Sequence, residues 1–155
     1  DLSSLSLAEM LGYWNTKATE ICEGEGASLH FQAHENLPPI AADGRKLTEI
    51  FTQLLHNAAE AAAESTGNSV AIDIFPPGEA SPGNTVDLFL RNSSIEMSED
   101  DLRKSFEPFH TTRGSEHFGL GLTTAAVLAG QMKMTLGLRH AEATTTAWLA
   151  LPAAE

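Results

Sequence analysis

The chain has 155 residues, enough for one domain and short for two. Hydrophobic residues make up 42% and charged residues 19%, a globular balance that excludes disordered and fibrous classes. With 21 Asp and Glu against 9 Lys and Arg, the formal net charge of -12 at pH 7 argues against a nucleic-acid or anionic-membrane partner.

In chain order, Leu7, Met10, Leu11, Trp14, Ala18 and Ile21 step by three or four and predict a helix from Ser6 to Cys22, stopped by Gly24 and Gly26. Leu29, Phe31 and Ala33 alternate with polar neighbours and predict a strand, ended by Asn36 and the Pro38-Pro39 pair. The strongest signal is a helix from about Gly44 to Glu64, with Leu47, Ile50, Phe51, Leu54, Leu55, Ala58 and Ala62 on one face. Three alternating stretches follow as strands: Val70-Ile72-Ile74, Val86-Leu88-Leu90 and Met134-Leu136-Leu138, with a flexible connection from Pro76 to Asn84 between the first two. Ser98 to Phe106 opens like a capped helix, and Pro108 to His117 has no apolar period and reads as a loop. Gly119 to Met132 reads as a glycine entry into a helix, and Thr144 to Leu151 as the last strand, with Trp148 and Leu149 on opposite faces. The expected fold class is α+β, about five strands in a mixed sheet with helices on one face and the charge mainly on outer faces and loops.

The single cysteine, Cys22, leaves no internal disulfide and no multi-cysteine metal site, and suits a reducing compartment. No apolar run approaches the roughly 20 residues that cross a bilayer. The chain starts at Asp1 without Met. We therefore expect residues 1–155 to be one domain excised from a larger protein.

Three features carry chemistry. On the long helix Lys46, Gln53, Asn57, Glu60 and Glu64 form a polar stripe beside the apolar face, with Asn57 nearest its edge. An amide there can ligate a hard cation such as Mg²⁺ through its carbonyl oxygen, or simply hydrogen-bond a neighbouring loop. In His117-Phe118-Gly119-Leu120-Gly121-Leu122, two glycines open a helix, where the backbone can approach a phosphate closely; the same pattern also suits a plain turn. The stretch Phe106-Glu107-Pro108-Phe109-His110-Thr111-Thr112-Arg113-Gly114 reads as a loop on a hydrophobic foot, in which Thr111, Thr112 and Arg113 could cover a phosphate chain, Arg113 supplying charge.

Together these segments resemble the N, F and G2 boxes of the GHKL ATPase superfamily, and more narrowly the catalytic and ATP-binding domain of bacterial sensor histidine kinases. Gln53-Leu54-Leu55-His56-Asn57-Ala58 matches the N box, Phe106 to Arg113 is close to the F box, and Gly119-Leu120-Gly121-Leu122 matches the G2 box. The resemblance runs from Ala8 to Pro152. It implies a two-layer α/β sandwich of the Bergerat type, binding ATP under a lid formed by about His110 to Phe118. Asn57 would be the Mg²⁺ ligand and a catalytic residue with Arg113, which could contact the γ-phosphate. Gln53, Asn92, Thr112, Gly119, Leu120, Gly121 and Leu122 would complete the nucleotide site. The implied partners are a histidine-containing dimerisation domain of the parent protein and a response regulator receiver domain. Nucleic acid and direct membrane contact are not expected. The implied setting is cytoplasmic, as part of a sensor that could itself be membrane-bound.

The G1 box departs from the family pattern. Asn92 stands for its Asp, Ser94 for its first glycine and Glu96 for its second. Asn92 keeps a carbonyl acceptor for the adenine amine without the charge. Glu96 brings bulk and negative charge where close approach is wanted. His117 replaces the first glycine of the G2 box. A nucleotide-free domain serving as a protein-interaction or phosphotransfer scaffold is the alternative. A self-contained ATPase of the anti-sigma or MutL-like kind fits less well, because Gln53 stands where the latter carry a general-base Glu, and an amide cannot take up a proton.

Overall fold

The computed structural model describes residues 2–95, 100 and 116–154, with residues 116–122 described by backbone only. Helix α1 is Leu7–Glu25, burying Leu7, Trp14, Ala18 and Cys22 along one stripe. The helix runs through Gly24 and ends at Gly26, whose φ of 73° is left-handed and whose N–H bonds back to the carbonyls of Cys22 and Glu23. Burial pushes the Cys22 thiol up to a pKa of about 11, so it is a core side chain and not a nucleophile.

Strand β2 (Ser28–Ala33) follows, then β3 (Ile40–Ala42), which pairs antiparallel with β1 (Ser3–Leu5). This two-stranded sheet was not expected: three residues are too few to show an alternation. Helix α2 is Gly44–Ala63. Its N-cap Asp43 accepts hydrogen bonds from the backbone N–H groups of Arg45 at 3.0 Å and Lys46 at 3.2 Å.

Strands β4 (Ser69–Phe75), β5 (Thr85–Ser93), β6 (Thr135–Ala141) and β7 (Thr144–Pro152) complete a five-stranded sheet in the order β2-β4-β5-β7-β6. The β2–β4 pair is parallel and the rest antiparallel, so the sheet is mixed, as expected. Register makes one face apolar. Phe31, Ile72, Leu90, Ala147 and Leu138 lie in one row across it, and Ala33, Ile74, Leu88, Leu149 and Leu136 in another. Helix α2 packs on this face against β4 and β5, flanked by α1 and by α3 (Glu116–Gln131). Trp14 of α1 is fully buried and stacks on Phe51 of α2, ring centroids 4.5 Å apart and planes within 8°.

The other face carries rings and charges. Phe75 packs between His34 and Phe89, and Phe89 stacks on Trp148, which places Trp148 opposite Leu149 as expected. Two acids here are buried, exceptions to charge placed mainly on outer faces and loops. Asp87 accepts from Ser81 Oγ at 2.7 Å, Thr85 Oγ1 at 3.0 Å and Trp148 Nε1 at 3.2 Å. Asp73 pairs with Arg91 at 2.8 Å. Their partners explain the burial, since a desolvated carboxylate needs donors.

Helix α3 begins at Glu116, three residues before the expected glycine entry, so residues 116 and 117 are helical where a loop was expected. The helix expected from Ser98 to Phe106 lies outside the described residues apart from Asp100.

Removing the Trp14 ring should leave a large void against Phe51. Trp14→Ala is expected to cost about 3–5 kcal/mol in urea unfolding, and Trp14→Phe clearly less. The Asp43 carboxyl is held below its ordinary pKa by the hydrogen bond from the Lys46 amide foremost, with the Arg45 amide and the Lys46 charge adding to it. A depressed folded pKa means that this contribution is complete at neutral pH and fades as pH falls through that lowered value. Asp43→Asn, which keeps a capping oxygen that does not titrate, should therefore hold stability at pH 7 and flatten the acid limb of a Tm-against-pH profile.

Candidate functional site

The described candidates lie on α2, β5 and α3, and α2 is packed against both β5 and α3. Asn57 lies on the buried side of α2 between Leu55 and Ala58, only 7% exposed. Its side-chain Nδ2 is buried with no hydrogen-bond partner among the described residues. A buried amide nitrogen left without a partner costs on the order of 1–3 kcal/mol, so a helix keeps one against an apolar alternative only under some other demand. The two ends of a carboxamide exchange by a side-chain rotation, so the spot can present either a donor or a carbonyl oxygen. That fits a hard cation or a phosphate-linked water. Gln53, one turn earlier, is half-buried and donates from Nε2 to Glu49 Oε2 at 3.1 Å. His56 is exposed.

Asn92 occupies the penultimate position of β5, is buried, and donates from Nδ2 to the Ser93 carbonyl at 2.9 Å. It belongs to a row that runs Val70, Asn92, Thr145, His140 across β4, β5, β7 and β6, on the same side as the apolar rows under the helices. Gly119, Leu120, Gly121 and Leu122 all lie within the first two turns of α3, so both glycines are inside the helix. The helix N-terminus, with its unpaired N–H groups, therefore belongs to residues 116–119, slightly earlier than expected. Thr112 and Arg113 lie outside the described residues. So do Glu96, the F box and all of the expected lid before Glu116.

The hydrogen bonds of two serines beside Asn92 escaped the motif reading. Ser93 Oγ is a hub, bonded to Ser65 Oγ at 2.7 Å and to the Ser69 N–H at 2.9 Å, tying the end of β5 to the α2–β4 connection. Gly67 lies so close that an added Cβ would meet Ser93 Cβ at 2.8 Å. Ser94 is buried, and its Oγ lies 3.1 Å from Thr145 Oγ1 and 3.3 Å from His140 Nδ1. No motif reading links residues about fifty positions apart; only the register of β5, β7 and β6 does.

Among the described residues, no group of three or more His, Cys, Asp or Glu side chains is arranged to hold a metal ion. None of the described helices is long and apolar enough to cross a membrane.

The family described as "Histidine kinase-, DNA gyrase B-, and HSP90-like ATPase" matches residues 42–155. The chain belongs to this family. Sensor histidine kinase ZraS of Escherichia coli strain K12 is 26% identical over 151 residues, covering 96% of this chain and 31% of that protein. Sporulation kinase E of Bacillus subtilis strain 168 is 34% identical over 88 residues, 57% of this chain and 11% of its own length. The chain thus spans less than a third of either relative. Full-length ShkA in complex with AMPPNP superposes with a TM-score of 0.74 at 22% identity, covering 98% of this chain and 31% of that one. The nucleotide-free catalytic domain of histidine kinase ThkA gives a TM-score of 0.74 at 21% identity and covers 98% of this chain and 97% of that domain. At these identities the likeness shows the fold. It is the two-layer α/β arrangement expected for a histidine kinase ATPase domain.

Overpacking at the Ser93 hub gives a direct test of how firmly the end of β5 is held. Gly67→Ala should cost about 1–3 kcal/mol in chemical denaturation although Gly67 is exposed, because Ser93 must shift to admit the new methyl group.

Proposed function

We propose that residues 1–155 form the single ATP-binding catalytic domain of a two-component sensor histidine kinase. Its role is to hold Mg-ATP for phosphoryl transfer to a histidine on a separate dimerisation domain of the parent protein, with a response regulator receiver domain as the next acceptor. The observation that carries this reading is the buried amide of Asn57, whose nitrogen has no partner among the described residues, in a chain that belongs to the histidine kinase-like ATPase family. When bound, ATP supplies the phosphoryl group and Mg²⁺ neutralises the charge that develops on it.

The chain's residues divide the work by chemistry. Asn57 would hold the metal through its carbonyl oxygen, and the exchangeable amide would explain why an Asn is kept at an otherwise apolar seam. Gln53, one turn before it on α2, carries an amide that cannot act as a base, so the domain would hold nucleotide without activating water itself. Asn92 accepts from the adenine amine through its side-chain oxygen, its Nδ2 being already committed to the Ser93 carbonyl. The backbone from Gly119 to Leu122 lets phosphates come close to the first turns of α3, where the helix dipole favours negative charge. Thr112 and Arg113 are the side chains proposed to contact the phosphates. The domain works in the cytoplasm as part of a larger sensor.

Calorimetric titration tests the reading. Wild-type protein should bind ATP in a Mg²⁺-dependent way, and Asn57→Ala should weaken that binding at least about tenfold. The same variant should keep or raise the Tm, since it removes an unsatisfied buried amide. No heat with millimolar ATP and Mg²⁺, or unchanged binding in Asn57→Ala, would overturn the assignment.

A further inference from the structure

Ser94 stands at the first position beyond β5, where the family pattern has a glycine. In this structure it is tied down by more bonds than a glycine could make. Its backbone N–H donates to the Ala143 carbonyl at 2.9 Å. Its Oγ is within hydrogen-bond distance of Thr145 Oγ1 at 3.1 Å and His140 Nδ1 at 3.3 Å, and those two groups are 3.0 Å from each other. With three atoms in mutual reach, two hydroxyl protons can satisfy the ring in sequence: Ser94 to Thr145, and Thr145 to the imidazole nitrogen.

The partner side of this arrangement is itself unusual. A two-residue turn, Glu142-Ala143, joins β6 to β7, and both residues adopt positive φ, 52° and 58°. That turn geometry is at home in Asn-Gly, and each residue with a Cβ costs on the order of 1 kcal/mol there. The strained turn is the one whose Ala143 carbonyl receives the Ser94 amide. The Ser94, Thr145 and His140 side chains also close the polar end of the row that contains Asn92, since Asn92 is directly paired with Thr145 and Thr145 with His140.

We propose that Ser94, Thr145, His140 and the Ala143 carbonyl form a clamp that locks the exit of β5 onto the β6–β7 turn, and that Ser94 is thereby a positioning residue for Asn92 at the base end of the nucleotide site. The second half rests on the ATP-binding reading; the first does not. Ser94 then replaces the flexibility of a glycine with a hydrogen-bonded anchor and is not a lapse in the motif. Restoring the glycine should therefore weaken base recognition. The phosphate end, held from α2 and α3, should be untouched.

The experiment pairs two ligands and two kinds of readout. Wild type, Ser94→Gly and Ser94→Thr are titrated calorimetrically with Mg-ATP and with Mg-tripolyphosphate, which lacks the base and sugar. Ser94→Gly should bind ATP about five- to tenfold more weakly, the loss expected for about one net hydrogen bond. It should bind tripolyphosphate within about twofold of wild type, while Ser94→Thr, which keeps the hydroxyl, stays close to wild type for both. Equal or tighter ATP binding by Ser94→Gly would overturn the proposal, as would equal losses for ATP and tripolyphosphate. In parallel, amide hydrogen exchange at Ser94 is measured in the ligand-free protein. Thr145→Val should speed it by about tenfold or more relative to wild type, because the clamp loses its central hydroxyl. Unchanged exchange would overturn the clamp itself. Wild type that binds neither ligand would instead defeat the ATP reading and the positioning role that rests on it, leaving the clamp to be judged by exchange alone.

Discussion

Helix α2 buries nine side chains against a sheet and two neighbouring helices; eight of them are apolar and the ninth is Asn57. Most of the architecture follows from how that helix is seated. Its apolar face needs a matching surface, which the alternation of β4, β5 and β7 supplies in rows of Ile, Leu and Ala. Its flanks need cover, which α1 and α3 supply, with Trp14 stacked on Phe51 as the tightest aromatic contact of that layer. A core this closely packed has little room to move, so the amide of Asn57 is held at its border in a defined place. The candidate site is thus a seam of the core and not an appendage to it.

The opposite face of the sheet shows what the seam avoids. There the buried acids Asp73 and Asp87 are matched by an arginine in one case and by two hydroxyls and an indole N–H in the other. Both acids find their donors inside the protein. The buried amide nitrogen of Asn57 has none among the described residues. Satisfied burial of the first kind is the mark of a structural polar residue.

How much of this could be read from the sequence depended on the range over which the signal acts. Helix α2 was legible because a 3.6-residue period persisted over 20 residues, and the five long strands because each alternates over several pairs. Asn57 was legible as a polar residue at an apolar edge, although its lack of a partner was not, since that depends on what packs above it. The start of α3 was placed late because glycine signals a break; yet glycine keeps its N–H and can sit in a helix interior for about 1 kcal/mol, so the helix runs on to Glu116. Strands β1 and β3 were missed because three residues carry no period. The Ser94, Thr145 and His140 cluster was illegible for a stronger reason: its members are brought together by strand order, and β7 lies between β5 and β6.

That strand order also changes the meaning of the altered glycine box. Judged along the chain, Asn92, Ser94 and Glu96 are three departures from a pattern that values small size and one negative charge. Judged across the sheet, the first two are neighbours of Thr145 and His140 in a polar row at the end of an otherwise apolar face. Asn92 gives up a charge but stays buried with its Nδ2 occupied, which leaves its oxygen as the group that the proposed ATP-binding role would use. Ser94 gives up flexibility and gains a backbone bond and two side-chain neighbours. Both changes move in one direction, from a mobile charged edge to a neutral edge held by hydrogen bonds. In a chain with a net charge of -12, an uncharged edge there also removes one more repulsion from the anionic ligand proposed above.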